Sequence, residues 1–538
     1  MQPLFSTDSI KIIERAYAEQ QGIELYELMQ RAGGSAFERA RGLWPQASHW
    51  LIATGSGNNA GDGLVVARHA LRAGFNVTLI ALKPYSEFDG DSKQAWQELV
   101  SINKEAHQTL DILGFEEALD EDLSFIEVVV DALLGTGVQG DLRDNYSQII
   151  DKLNQLECAK LALDIPTGIY ADTGICATTR SGATGHDKNT AFQADATVSF
   201  VALKTGQRLN HALEYQGQLL LETLGVRNPL AFGEKAEAWW GDIHHLKGKL
   251  PQRSPVGSKF DCGHALIIGG GEHLGGAAIL AGTSAIKSGA GLVSCWLHQS
   301  NQAAALSHCP EIMWRGFLDV SDFQALEDYQ RFQTVGFGPG LGRDSLAEKV
   351  FLDGVNRLQA ADIPCVIDAD GLYWLAQYTS LPLPTQCVLT PHAGEACRLL
   401  NAQEEDVFSS GRIEPQLSVD TAYVEQNRIK VAQSLAKKYS AVCVLKGAGT
   451  VVSDGEQSFV LAGAHPAMMT AGLGDVLTGL ITSFIAQGAK LLDAALLATQ
   501  LHYEAAVSVA GDRRRGVLAS DVIDEITVWI NRLEQTAG

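Results

Sequence analysis

Short runs rich in Val, Ile and Leu recur along this chain, most of them ending in a glycine or an aspartate. The first half holds WLIAT at 50–54, NVTLIAL at 76–82, FIEVVVDALLG at 125–135, AKLALDIPTG at 159–168 and ADATVSFVAL at 194–203. Helix-like stretches such as LVVARHALRAG at 64–74 stand between several of them. Near-continuous apolar strands alternating with helices predict an α/β fold: a mostly parallel sheet covered on both faces. Ligands then belong at the carboxyl ends of the strands. Ahead of this alternation, a helical pattern follows Ser6-Thr7-Asp8, with Ile12, Ile13, Ala16, Leu25, Met29 and Ala32 on its apolar positions and Thr7 or Asp8 as its cap.

The texture changes over 226–263, where Pro, Gly, Lys and Arg collect and periodicity fades. A boundary is expected near 230–245, dividing the chain into 1–230 and 231–538. Its 538 residues exceed what one core usually supports. A second alternation follows, with HALIIGGG at 264–271, AAILAGTSAIKSGAG at 277–291 and LVSCWL at 292–297. FQTVGFGPG, IPCVIDADG, QCVLTPHAG and AVCVLKGAG continue it, and from TAGLGDVLTG onward the pattern is helical.

Charge narrows the partners. The 41 Lys+Arg against 63 Asp+Glu give a net charge of −22, which repels nucleic acid and acidic membrane surfaces. It leaves room for a small anion held by backbone N–H groups. The nine cysteines form no CxxC pair, as expected of a reducing, cytoplasmic compartment. The first residues carry no signal-peptide pattern, and no apolar run reaches membrane-spanning length.

The stretch Thr54–Gly63, TGSGNNAGDG, sits at a strand-to-helix turn. Its glycines approach the dinucleotide fingerprint GxGxxG, but the third is displaced, and no acidic residue follows the next strand to hold a ribose. Glycines alone leave a phosphate cradle and a plain tight turn both open. Asn58, Asn59 and Asp62 add amides and a carboxylate for a ligand or cation. Asp131 ends one strand before the loop Gly135–Asp141, and Asp164 ends another before Ile165-Pro166-Thr167-Gly168. Asn59, Asp131 and Thr167 offer hard oxygen donors suited to an alkali or alkaline-earth ion. Asp164 remains as a proton-transfer candidate.

In the second half, Gly472-Leu473-Gly474-Asp475 opens a helix, where free N–H groups bind phosphate and Asp475 can exchange a proton. A glycine turn capped by Asp475 is the structural alternative. Lys446-Gly447-Ala448-Gly449-Thr450 follows a strand and offers a lysine and turn amides to a nucleotide, without Walker A spacing. Asp368 and Asp370 can hold a hydroxyl or Mg²⁺. His392, in Thr390-Pro391-His392, is either a ligand residue or a satisfied histidine.

The ordered combination of these motifs resembles the bifunctional NAD(P)H-hydrate repair family over nearly the whole chain. The resemblance implies a Rossmann-like epimerase domain over 1–230 and a ribokinase-like, ADP-dependent dehydratase domain over 231–538. It implies that Asn58, Asn59, Ala60, Gly61 and Asp62 contact the hydrate, together with Gly135, Thr136, Gly137, Val138, Gln139, Gly140, Asp141 and Asp164. K⁺ would lie on Asn59, Asp131 and Thr167, with Asp164 the catalytic acid/base. In the second domain it implies substrate contacts at Ala277, Gly340, His392 and Asp475, the last catalytic. ADP would meet Lys446, Gly447, Ala448, Gly449, Thr450 and Gly474, with Mg²⁺ on its phosphates. Substrates would be the hydrates of NADH and NADPH, and a homo-oligomer is expected. Ala60 and Thr167 stand where the family has glycine and serine, and AHPAMMTAGLGD replaces its GNPGMATGGTGD run. Three other functions fit the residues less closely: a small-molecule kinase with a fused regulator, a nucleotide-sensing scaffold, and a conventional dehydrogenase.

Overall fold

Two units divide the computed structural model, Gln2–Ala238 and Met1 with Trp239–Gly538. It describes residues 1–103, 109–138, 140–179, 188–325, 329–402 and 418–536.

In the first unit, seven strands run in the order Gln218–Glu222, Ala196–Phe200, Ala159–Leu163, Val128–Ala132, His49–Thr54, Asn76–Ala81, Leu110–Gly114. All neighbours are parallel. The central strands are buried on both faces, which explains their unbroken apolar runs. Strand His49–Thr54 lies between strands that come later in the chain, so its connection and that of Val128–Ala132 leave in opposite directions. The crevice that opens there is where such sheets bind ligands.

The helix after this strand is Asn58–Arg72, so NNAGDG forms its first turns and only Gly55-Ser56-Gly57 bridge strand to helix. Helix Leu25–Leu43 packs on it through Gly33, where a Cβ would stand 2.6 Å from Asp62 O. The amino-terminal segment differs from expectation in two respects. Ser6 is the cap, accepting from the Ser9 N–H, and Thr7–Gln21 is a helix separate from Leu25–Leu43. Its inner face is Ile10, Ile13 and Tyr17, while Ile12 is exposed.

In the second unit the strands run Ser458–Leu461, Thr450–Ser453, Val442–Leu445, Cys387–Leu389, Cys365–Ile367, Thr334–Phe337, His264–Ile268, Leu292–His298, Met313–Phe317. Those from Val442–Leu445 to Met313–Phe317 are parallel, and Thr450–Ser453 is antiparallel to both its neighbours. His264–Ile268 again sits between later strands. Helices Gly275–Lys287 and Leu473–Ala486 pack so closely that a Cβ on Gly479 would overlap the Ala281 backbone. Each fully buried Leu or Val in these cores contributes about 1.5–3 kcal/mol relative to exposure. Among the described residues, no helix is long and apolar enough to cross a membrane.

Candidate active sites

The first site gathers at the carboxyl edge of the seven-stranded sheet. Asp131 closes strand Val128–Ala132 and is fully buried. Its Oδ1 accepts from Thr167 Oγ1 at 2.6 Å and Leu133 N at 3.1 Å, and its Oδ2 accepts from Thr167 N at 2.7 Å. Burial pushes this carboxyl up to about 6, and the Thr167 and Leu133 hydrogen bonds oppose that shift. Thr167 Oγ1 also meets Leu134 N at 3.0 Å. One residue on, a Cβ at Gly135 would stand 3.2 Å from Asn59 Cβ. Asn59 is buried, and among the described residues neither its Oδ1 nor its Nδ2 has a hydrogen-bond partner. A buried amide with no partner is costly unless something polar meets it.

Around it, Asn58 is exposed at the helix start, while Ala60 is fully buried and Gly61 packs on Met29. Those two therefore offer backbone rather than side chain. Ala60 is helical, without the positive φ that would demand glycine. In the loop that follows Gly135, Thr136 and Val138 are half-buried, and Gly137, Gly140 and Asp141 are exposed. Tyr170 Oη donates to Gly140 O at 2.9 Å and Thr178 Oγ1 to Asp141 Oδ1 at 2.6 Å. Gln139 lies outside the described residues.

Asp164 takes a left-handed backbone, φ 66°, at the end of strand Ala159–Leu163. Its Oδ1 accepts from Lys204 Nζ and from Phe200 N at 3.3 Å. Asp62 and Glu14 join it. Burial, then Asp164 and Glu14, push Asp62 well above the usual carboxylate range, against Lys204. Burial and Asp164 push Glu14 up to about 7, against Lys204, Lys11 and Arg15. Lys204 and Glu14 were not foreseen. The clue to Lys204 is a lysine inside the apolar run FVALK.

The second site lies at the carboxyl edge of the other sheet. Asp368 is buried behind strand Cys365–Ile367 and accepts from Lys446 Nζ and Thr478 Oγ1, both at 2.7 Å. Burial works against its charge, but the Lys446 ammonium and these hydrogen bonds hold it below the usual range. Lys446 is raised in turn: burial opposes its charge, and Asp368 and Glu395 outweigh burial. Gly472, φ 90°, caps helix Leu473–Ala486 and places Asp475 in its first turn. A Cβ on Gly474 would stand 3.6 Å from Lys446 Nζ. Burial, then Asp368, push Asp475 up to about 7, against Lys446.

His392 caps helix Ala393–Asn401: its Nδ1 accepts from Gly394 N at 3.0 Å, and Glu395 Oε2 accepts from His392 N at 2.9 Å. With Nδ1 accepting, a neutral ring carries its proton on Nε2. Burial, then Lys446, lower this histidine. Ala277 meets Gly340, φ 57°, whose Cβ would stand 2.9 Å from its own. The Gly447–Thr450 turn rests on Arg428, a buried guanidinium that donates to Leu445 O at 3.0 Å and Glu425 Oε2 at 2.7 Å. Asp370 is bonded by Arg343 Nε at 2.9 Å and Gly342 N at 3.0 Å. Asp368 and Asp370, offered as holders of a hydroxyl or Mg²⁺, are thus both engaged with protein donors. Among the described residues, no group of three or more His, Cys, Asp or Glu could hold a metal.

Two strand-edge sites, each with glycine turns and an aspartate, lie in a two-unit α/β architecture with a Rossmann-like and a ribokinase-like unit. Residues 25–206 match the family model described as YjeF-related protein N-terminus, and residues 265–528 the one described as NAD(P)H-hydrate dehydratase. The bifunctional NAD(P)H-hydrate repair enzyme of Vibrio cholerae is 34% identical over 528 residues, covering 98% of each chain. That of Escherichia coli is 34% identical over 529 residues, covering 97% of this chain and 93% of that protein. A ribokinase-like superfamily protein from Enterococcus faecalis is similar over 56% of this chain and 98% of its own, at 23% identity and a TM-score of 0.47. The chain belongs to the bifunctional NAD(P)H-hydrate repair enzyme family, and it is a bifunctional enzyme.

Proposed function

We propose that the unit Gln2–Ala238 interconverts the R and S hydrates of NADH and NADPH, and that the unit from Trp239 onward dehydrates the S form at the expense of ADP. What supports this most is the pairing, in one chain with near full-length relatives, of a carboxylate site at Asp164 and a helix-start aspartate at Asp475.

In the first site, Asp164 gives a proton to the C6 hydroxyl as the ring nitrogen's lone pair breaks the C6–O bond and water leaves, and it takes a proton back as water adds to the other ring face. The first helical turn, Asn58–Asp62, and the loop Gly135–Asp141 contact the substrate. Asn59, Asp131 and Thr167 would hold K⁺, and the unpartnered Asn59 amide fits such an ion. When bound, K⁺ supplies positive charge beside the substrate's phosphates.

In the second site, Ala277, Gly340, His392 and Asp475 hold the hydrate. Lys446, Gly447, Ala448, Gly449, Thr450 and Gly474 hold ADP. Asp475 takes the proton of the C6 hydroxyl as its oxygen attacks the terminal phosphorus. The bond to the bridging oxygen breaks and AMP leaves. The amides of the Gly472–Gly474 turn stabilise charge on the transferred group. The ring nitrogen's lone pair then expels phosphate, and loss of a C5 proton restores NAD(P)H. Mg²⁺ would travel with the nucleotide.

The test is a mixture of R and S hydrates with the purified chain and ADP, followed by chromatography. Complete conversion of both epimers with AMP and phosphate release is expected. A stable phosphorylated product would favour a kinase instead. We also place the protein in the cytoplasm as a homo-oligomer, whose assembly light scattering measures.

A further inference from the structure

Lys204 carries an ammonium where chains rarely leave one, with its side chain 1% exposed. The backbone explains how it arrives there. After strand Ala196–Phe200, Val201 turns left-handed, φ 67°, and Ala202 N bonds back to Phe200 O at 2.8 Å. Leu203–Lys204 then runs parallel to Gln2–Phe5. This reversal lays the lysine side chain over its own strand end.

There, Nζ donates to Ser199 Oγ and Phe200 O, both at 3.1 Å, and to Asp164 Oδ1. Three donors meet three acceptors, which is the full capacity of an ammonium. Gln207 ties the same network together. Its Oε1 accepts from Lys204 N at 2.9 Å and Ser199 Oγ at 3.1 Å, and its Nε2 donates to Asp164 O at 2.8 Å. Asp164 is thus gripped at its carbonyl and at Oδ1, while its backbone is held in a conformation that side chains seldom adopt. The described donors on this carboxylate all use Oδ1. Apolar side chains fill a buried slot at less cost than an ion pair, so filling space does not explain a lysine here.

We propose that Lys204 is a positioning residue of the epimerase site: it clamps Asp164 Oδ1 so that Oδ2 meets the substrate's C6 hydroxyl, and it supplies the cation that the cluster of Asp164, Asp62 and Glu14 shares. The inference rests on the assignment of epimerisation to this site. The charged groups facing the cluster are Glu14, Lys11 and Arg15 from helix Thr7–Gln21, Asp62 from helix Asn58–Arg72, and Lys204 itself.

The experiment measures interconversion of purified R and S hydrates without ADP across pH, and dehydration of S hydrate with ADP on the same preparations. In Lys204→Met, epimerase kcat falls about 100-fold with KM within about threefold. The limb of its pH profile that these carboxyls set moves upward, because Asp62 and Glu14 lose the cation that lowers them. Dehydration stays within about twofold. Ser199→Ala, which removes one acceptor and keeps the charge, lowers epimerase kcat about fivefold. A Lys204→Met chain with wild-type unfolding behaviour, kcat within about threefold and an unmoved limb overturns the proposal. If Lys204→Met fails to fold, Ser199→Ala decides: a kcat within about 1.5-fold of wild type overturns it. A wild-type chain that fails to interconvert the hydrates overturns the epimerase reading itself, and the role of Lys204 with it.

Discussion

Each unit sets a lysine against aspartates at a strand edge, buried in the first and half-buried in the second, but the two lysines hold different partners. In the first, Lys204 bonds Asp164, the aspartate proposed to react. In the second, Lys446 bonds Asp368, and among the described residues Asp475, the aspartate proposed to react, has no ion pair. The consequence differs with it. Left in a buried place beside the negative Asp368, Asp475 rises to about 7, where a group both takes and gives protons at neutral pH. Asp164 is instead clamped in one orientation. Direct contact with the cation fixes geometry, while indirect contact tunes affinity for a proton.

The largest test of this division is to remove each reactive carboxylate. Asp475→Asn should lower dehydration by about 10²–10⁴-fold and leave epimerisation untouched. Asp164→Asn should strand the R hydrate by a similar factor while S hydrate is still dehydrated. Epimer-resolved chromatography reads both. A variant that disables both reactions breaks the picture of two separate sites.

A pH profile sharpens the comparison next. Asp475 acts as a base only when ionised, so dehydration should fall as pH drops through about 7, approaching tenfold per unit below that point. Asp368 raises Asp475, so Asp368→Asn should move this limb to lower pH. It should also lower kcat about tenfold, because Lys446 loses its clamp. The profile of S-hydrate dehydration in the two proteins checks the direction. An unmoved limb would mean that burial alone sets Asp475.

A smaller effect concerns the ion. Replacing K⁺ by a bulky organic cation should lower epimerisation and the unfolding temperature of the first unit by a few degrees, through lost ligand stabilisation. Asn59→Ala should remove most of that salt response and leave dehydration unchanged.

The sheets were readable because a parallel strand buried on both faces must be a run of Val, Ile and Leu, as in VVVD before Ala132. Other strands escaped. Met313–Phe317 alternates exposed and buried positions, and the hairpin Thr450–Ser453 with Ser458–Leu461 is only four residues a side, although Asp454-Gly455 marks its turn. The start of helix Asn58–Arg72 was hidden by Asn, Gly and Asp, which are poor helix formers. Tertiary contact decides there: Gly61 lies against Met29 and Gly63 against Ala132. Motifs led to Asp164 and Asp475 because glycine loops flank both. Lys204 and Glu14 carry no such flag, since a lone lysine or a helical glutamate ordinarily faces water, and only the folded chain turns them inward.

The same helix supplies the smallest effect. Ala60 and Gly474 each stand in the first turn of a helix beside a glycine loop, but they face different surroundings. Ala60 is fully buried, with a helical backbone that any residue can adopt. Gly474 is half-buried, and a methyl there would reach the Lys446 ammonium at ordinary contact distance. Gly474→Ala should therefore fold normally and raise the KM for ADP several-fold, by covering amides that a phosphate needs. Ala60→Gly should do the opposite. The lost buried methyl and the added backbone freedom together cost about 1–2 kcal/mol of stability in the first unit, with epimerase KM and kcat within about twofold. Denaturant unfolding and hydrate interconversion measure the two quantities separately. A marked loss of epimerase activity in Ala60→Gly would show that the methyl shapes the site, rather than only the core beneath it.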